Sequence, residues 1–182
     1  TNRSQNVSTR EQTVTGLSDS ETSGVGVRVL VDGTWGFAAS RILTNEGAEE
    51  VARTAVAQAR ANRVAQLRPV ELAPIGPAEE GEWRSPIEID PFNVSIEDKV
   101  GLLLEANAAA TRVPGARFAS STMSFIREEK FFASTDGIVT DQTVYRCWPR
   151  LTVSAVSADG GDFQSRQSTP LQPMGLGYEY IR

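Results

Sequence analysis

Two runs of alternating residues, joined by Asp32-Gly33, constrain the fold of this chain more than any other feature of its sequence. The first run places a valine at every second position, so these side chains share one face of an extended strand. They are Val25, Val27, Val29 and Val31. Asp-Gly favours the positive-φ conformations of a tight hairpin turn, and Trp35, Phe37 and Ala39 then resume the period of two. The sequence therefore predicts a central β-hairpin against which two later helices pack.

Two later segments have the period of a helix. Thr44 or Asn45 can cap the first helix, whose small apolar residues recur three and four positions apart. They are Ala48, Val51, Ala52, Ala55, Val56 and Ala59. Ser95 and Asp98 have the spacing of a capping box, and the second helix runs to about Thr111. Its apolar positions include Val100, Leu103 and Leu104, with Asn107 on the same stretch.

The first half of the chain also holds strands and a long connection. Residues 1–20 predict two short strands joined near Arg10-Glu11, because β-branched residues are spaced through a polar segment. Five prolines make residues 67–94 an irregular connection.

The segment after Pro114-Gly115 is rich in strands. Alternation over residues 116–126 predicts a strand, and Arg127–Lys130 is interpreted as a polar break after it. Residues 138–158 predict two further strands, separated near Pro149. A turn is expected at residues 159–162, an irregular polar stretch at 164–174 and a short strand at 175–182. These elements predict an α+β fold, with a mostly antiparallel sheet of about six or seven strands and two helices packed on one face.

The charge and hydropathy of the chain restrict the kinds of partner that it is expected to bind. A formal net charge of −5 and a sequence pI near 4.9 argue against a nucleic-acid-binding surface. No apolar run approaches the ~20 residues that span a bilayer, and no signal peptide opens the chain. We therefore expect a cytoplasmic protein with no direct nucleic acid or membrane partner.

The absence of histidine from the sequence excludes several kinds of catalytic site. A zinc site with histidine ligands, a Ser-His-Asp triad and a Cys-His pair all require that residue. Cys147 cannot form an internal disulfide by itself, and we interpret it as a small buried residue. Neither Ser134 nor Thr135 has a supporting motif that would pair it with Lys99 or Lys130.

Two other sequence features also have structural interpretations. Gly24-Val25-Gly26 lies inside a strand pattern and lacks a third glycine, so we do not expect it to bind phosphate. Four aromatic residues are interpreted as core: Trp35, Phe37, Phe131 and Phe132. An exposed sheet edge could instead hold an extended peptide by strand addition.

Four segments in a fixed order carry a resemblance to a known family. They are Ser8–Arg10, Gly24–Ser40, Glu129–Gly137 and Gly175–Tyr180. Together they resemble the N-terminal domain of the TldD/PmbA family, which comprises metallopeptidases and their paralogues, long labelled modulators of DNA gyrase. The resemblance covers nearly the whole chain.

The resemblance implies that residues 1–182 form a single N-terminal domain of a larger two-domain protein, with both chain ends cut. In family members a C-terminal domain carries His-Glu-x-x-x-His, whose histidines bind zinc with a downstream cysteine while the Glu acts as general base. This sequence has no such motif, so no catalytic, cofactor-binding or metal-binding residue is carried over onto it. Zinc is expected only in the absent C-terminal domain.

The family also implies partners. Its members form homodimers or heterodimers of TldD- and TldE-type subunits around a chamber for an unfolded peptide substrate. The segment Thr34–Ala39 is closer to the TldD type, so the sequence predicts the non-catalytic N-terminal domain of a TldD-type zinc metallopeptidase. The alternatives are a domain of the TldE/PmbA-like partner subunit, a stand-alone binding protein, and a direct gyrase or DNA regulator.

Overall fold

The computed structural model describes residues 1–74, 76–77, 79–168 and 172–181. Its two helices are α1 (Asn45–Asn62) and α2 (Ile96–Thr111). Its strands are β1 (Asn2–Arg10), β2 (Thr13–Thr22), β3 (Val25–Val31), β4 (Thr34–Ser40), β5 (Glu80–Arg84), β6 (Ala116–Ala133), β7 (Val139–Val156) and β8 (Phe163–Gln167). The chain divides into two compact units. One unit contains Thr1, residues 22–79 and residues 134–138, and the other contains the rest.

The predicted hairpin is confirmed as the two-stranded antiparallel sheet of β3 and β4. Asp32 and Gly33 form its turn with φ of 48° and 75°. Both angles are positive, as a two-residue hairpin turn of this type requires. α1 is also confirmed, and of its two predicted caps the structure has Thr44, whose hydroxyl accepts a 3.1 Å hydrogen bond from the Gly47 amide.

The two helices pack on different sheets. The small residues Val51, Ala55 and Ala59 bury α1 against β3 and β4. α2 instead packs on β6 and β1, so the expectation that both helices pack against the hairpin is wrong. A pair of strands about 5 Å apart offers one face only about as wide as a single helix. The larger sheet presents a wider apolar surface to α2.

The larger sheet has six strands in the order β2-β1-β6-β7-β5, with β8 also paired to β7. Its pairs β1–β6, β6–β7 and β7–β8 are antiparallel, whereas β5–β7 is parallel. The predicted α+β class and the mostly antiparallel sheet of six strands are confirmed. The core of this unit groups Val7, Leu103, Met123, Phe125, Cys147 and Tyr178.

The strand β6 continues through the predicted polar break. Its charged residues are accommodated by ion pairs: Glu128 lies 3.0 Å from Lys130 and 3.2 Å from Arg146 of β7. Since β6 and β7 remain in register through this segment, the charges interrupt neither strand.

The strand β7 likewise continues through Pro149, so the predicted boundary is wrong. On either side of this proline, the amides of Cys147 and Leu151 donate away from β6, to Met174 and Ser168. By the alternation of a strand, the nitrogen of Pro149 faces the same outer side, where no ladder hydrogen bond with β6 is lost.

The remaining differences concern short elements. The connection 67–94 contains β5, and the polar stretch 164–174 contains most of β8, while residues 169–171 of that stretch lie outside the described ones. Residues 175–181, expected as a strand, contain the 3₁₀ helix Tyr178–Tyr180. No described helix is long and apolar enough to cross a membrane.

Candidate interaction surfaces

The side chains of the described residues do not suit a zinc site. Cys147 is fully buried, and burial, together with the charges of Glu179 and Asp90, raises the pKa of its thiol to about 12. The sulfur is therefore shielded from solvent and from any metal ion there. Within the described ranges, no three Cys, Asp or Glu residues are grouped as metal ligands, and the sequence contains no histidine.

A buried lysine is the main polar feature that the sequence analysis missed. Lys99 of α2 is fully buried, although the sequence analysis named only Val100, Leu103, Leu104 and Asn107 in this helix, of which Leu103 and Asn107 are also buried. Its ammonium donates to Gln5 Oε1 and, over 2.6 Å, to the Pro91 carbonyl oxygen, and it lies 4.7 Å from the centroid of the Phe125 ring. Burial lowers the pKa of Lys99.

The acceptor of Lys99 is itself held in a polar network at the edge of the core. The Gln5 amide donates to Asp19 over 2.8 Å, and Asp19 accepts two hydrogen bonds from Arg3. These bonds tie α2 to β1 and β2. The network therefore fixes structural elements, and nothing in its geometry brings a nucleophile to a substrate.

One exposed apolar surface lies on the outer face of the β3–β4 sheet. Gly36 faces α1, so Trp35 and Phe37, one residue to either side, point to the opposite face. Phe37 is 56% exposed, and Arg28 stacks 4.8 Å from the Trp35 ring. The interpretation of these two aromatic residues as core is therefore wrong, because a helix covers only one face of the two-stranded sheet.

A second group of exposed side chains, here called the aromatic end, lies at one end of the larger sheet, with Phe131 on one face and Trp83 and Phe132 on the other. Phe131 shares the helix-facing side of β6 with the buried Phe125, yet it is 73% exposed, so α2 does not reach this end of the strand. Trp83 and Lys130 both flank Gln142, which places Trp83 on the same face as Phe132. The interpretation of Phe131 and Phe132 as core is thus also wrong.

The outer edge of β7 is covered by a succession of short partners. β5 pairs with residues 139–143, and the amide of Tyr145 donates to Ser85. Cys147 and Met174 exchange two 3.0 Å backbone hydrogen bonds, and β8 covers residues 152–156. The opposite edge of the sheet is β2, which is exposed along its whole length.

Two protein-family models match parts of this chain. The one described as PmbA/TldA metallopeptidase domain 1 matches residues 1–59, and the PmbA/TldA metallopeptidase central domain matches residues 89–179. The chain belongs to the PmbA/TldA metallopeptidase family. The family resemblance predicted from the sequence is thereby confirmed. This chain therefore contains segments that correspond to both the first and the central domain of the family.

Solved structures share the fold of this PmbA/TldA chain at low sequence identity. A proposed modulator of a DNA gyrase from Thermotoga maritima has a TM-score of 0.64 and 14% identity, over 91% of this chain and 36% of its own. A similar protein from Bacteroides thetaiotaomicron has a TM-score of 0.67 and 12% identity, over 91% and 38%. TldE from Thermococcus kodakarensis has a TM-score of 0.61 and 16% identity, over 94% and 39%. The chain thus spans less than two fifths of each of these structures.

No curated protein matches the sequence of this PmbA/TldA chain.

Proposed function

We propose that this chain is the non-catalytic, N-terminal part of a TldD-type zinc metallopeptidase, where it lines a chamber for an unfolded peptide and contributes to a subunit interface. The observation that carries the proposal is the match of the first and central metallopeptidase domains to residues 1–59 and 89–179. Zinc and the hydrolytic residues belong to a further domain of the same polypeptide. When bound there, the metal supplies a hydroxide nucleophile at neutral pH.

The chemistry of this chain supports a scaffold role. Its cysteine is buried and protonated, its sequence lacks histidine, and Lys99 is enclosed by the core. None of these groups can reach a substrate. The chain also exposes large aromatic side chains, among them Phe37, Phe131 and Phe132, and exposed apolar patches mark contact sites in soluble proteins.

The aromatic end is the part of the chain that we assign to the chamber. Trp83 of the edge strand β5 and Phe132 of β6 lie on one face of the sheet, and β7 runs between their strands. Aromatic rings provide apolar contact to side chains of many kinds, and a strand edge binds the main chain of an extended peptide. Such a wall suits a peptidase that accepts unfolded segments of varied sequence.

A photo-cross-linking experiment tests this assignment. Benzoylphenylalanine replaces Phe131, Phe132 or Trp83 in the 182-residue chain, and an unfolded peptide is added before irradiation. The control position is Leu67, which is 98% exposed but lies outside the aromatic end. We expect peptide adducts from Trp83 and Phe132, which share a face, fewer from Phe131 on the opposite face, and few from the control. Equal labelling at all four positions would refute the chamber assignment.

A domain of the TldE/PmbA-like subunit, which serves as an interaction module without zinc, is the second candidate. TldE from Thermococcus kodakarensis shares the fold of this chain at 16% identity. A likeness at that identity shows the fold alone, so it does not distinguish between the two candidates. The sequence of the gene beyond Arg182 separates the two candidates. A His-Glu-x-x-x-His motif there would identify the catalytic subunit, and its absence would identify the partner.

A further inference from the structure

The strand β2 is an open edge of the six-stranded sheet. It is ten residues long, it is exposed at every position, and β1 is its neighbour on the inner side. In the described part of the chain, no other strand pairs with it. One row of its backbone N–H and C=O groups is therefore available to another polypeptide.

The composition of β2 does not protect it from pairing. Natural edge strands are commonly blocked by lysine, proline or a bulge, and the segment Thr13–Thr22 has no lysine, arginine or proline. Its two acids are both near arginines of the same sheet: Asp19 lies 2.9 Å from Arg3, and Glu21 lies 4.0 Å from Arg127. The first half of the strand, residues 13–18, carries no charge at all.

The opposite side of the sheet differs from β2. There the exposed strands are five residues long and carry charges, as Glu80, Glu82 and Arg84 in β5 and Arg166 in β8. The groups of β7 between them are bonded to Ser85, Met174 and Ser168. Among the described residues, one edge of the sheet is thus covered and charged, whereas the other edge, β2, contains a long uncharged segment that no strand covers.

We propose that β2 pairs antiparallel with β2 of a second copy of this chain, around a two-fold axis at Gly16, so that two six-stranded sheets become continuous. The inference rests on the proposed function, because it specifies which surface forms the subunit interface. A two-fold interface requires a surface that is complementary to itself, and an antiparallel pair of identical strands meets that condition along its main chain.

The charges of β2 favour a second copy as the occupant. With Gly16 opposite Gly16, Val14 faces Ser18 and Leu17 faces Thr15. Asp19 then faces Thr13, so its carboxylate meets the uncharged half of the other strand and like charges do not oppose each other. Leu17, which is 55% exposed, becomes covered across the pair.

The test compares two lysine substitutions at exposed apolar positions of edge strands. Leu17→Lys places the two new ammonium groups at diagonal positions across the proposed axis, where like charges destabilise the pair. Phe163→Lys is the matched control, because Phe163 is 60% exposed and lies in β8 on the other side of the sheet. The dissociation constant of each protein is measured by sedimentation equilibrium, and its melting temperature checks that the fold is intact.

We expect the unmodified chain and Phe163→Lys to dimerise alike, and Leu17→Lys to dimerise about tenfold more weakly or not at all. Hydrogen exchange should show amides of residues 13–19 becoming protected as the protein concentration rises, in the unmodified chain but not in Leu17→Lys. A monomer at all concentrations would overturn the proposal, and so would a dimer that Leu17→Lys leaves unchanged.

The second of these results would leave the proposed function intact, since the subunits would then associate through another surface. If an unfolded peptide, and not a second copy, protected residues 13–19, the edge would be a peptide site and the dimer proposal would fail. The proposed function itself is tested by other experiments, namely photo-cross-linking at the aromatic end and the assay of peptide cleavage.

Discussion

Gly36 of β4 lies so close to α1 that a Cβ atom on it would be 2.0 Å from the carbonyl oxygen of Ala55. The same atom would lie 2.6 Å from the amide nitrogen of Ala59. The backbone of α1 therefore packs directly on the backbone of β4 at Gly36. The nearest helix atoms belong to the main chain, so they cannot move aside as a flexible side chain could. This contact explains why the buried stripe of α1 consists of small residues.

Gly36→Ala should destabilise the unit that contains the β3–β4 sheet by about 1–3 kcal/mol or more, because the added methyl overpacks a rigid contact. Urea unfolding followed by the fluorescence of Trp35 measures the change. Gly81→Ala is the control, since Gly81 also lies in a strand but nothing is within 4 Å of its would-be Cβ. A stability of Gly36→Ala equal to that of the control would contradict the packing of α1.

Gln5 and Lys99 should be energetically coupled. Gln5→Ala leaves the buried ammonium with fewer acceptors, and hydrogen bonds to charged groups contribute about 1.5–3 kcal/mol. We expect Gln5→Ala to destabilise the protein by about that amount, and to do so less when Lys99→Met is also present. A double-mutant cycle in urea measures the coupling free energy. Strict additivity of the two changes would show that the ammonium does not depend on Gln5.

Lys99 should also make stability depend on alkaline pH. Burial lowers its pKa in the folded protein, whereas in the unfolded chain a lysine titrates near ~10.4. Between these two values the unfolded state binds more protons, so the contribution of Lys99 to the free energy of unfolding rises with pH. Urea unfolding across this range should show the rise in the unmodified chain relative to Lys99→Met. Parallel pH profiles would mean that Lys99 titrates normally.

Cys147 should have the opposite dependence. Its pKa is raised from 9.0 to about 12 in the folded protein, so the folded state holds the thiol proton where the unfolded chain has lost it. The stability that it contributes is complete below about pH 9 and is lost as the pH rises toward 12. Compared with Cys147→Ala, the unmodified chain should therefore lose free energy of unfolding over this range.

The same residue gives a chemical test at neutral pH. A thiol reagent should label Cys147 only as fast as the protein opens, because the folded thiol is fully buried. Labelling should accelerate in urea in parallel with unfolding. Rapid labelling of the folded chain would show an accessible thiolate and would reopen the question of metal binding.

The local elements of this fold are predictable from the sequence for local reasons. The Asp32-Gly33 turn and the caps at Thr44 and Ser95 depend on neighbouring residues alone. The length of β6 and β7 depends instead on partners elsewhere in the chain, such as Arg146 for Glu128. The edge strands β5 and β8 are short and polar, so they have no hydrophobic period that could reveal them.

The candidate surfaces were harder to predict, because exposure is a property of the whole fold. Phe125 and Phe131 lie on the same face of β6, yet the first is fully buried and the second is exposed beyond α2. Lys99 shows the reverse case, a charged residue whose helical position gives no sign that its ammonium will find Gln5 and Pro91 inside the core. The expectation that this chain carries no catalytic residue rests on the sequence, which has no histidine, and it stays a prediction.

Peptide hydrolysis by the purified 182-residue chain, with added zinc and with or without a chelator, tests the central claim of a non-catalytic scaffold most directly. The account predicts that an unfolded peptide stays intact under both conditions and that zinc does not bind at a defined site. Cleavage that requires zinc and stops on adding the chelator would contradict it, because these residues would then hold the metal themselves.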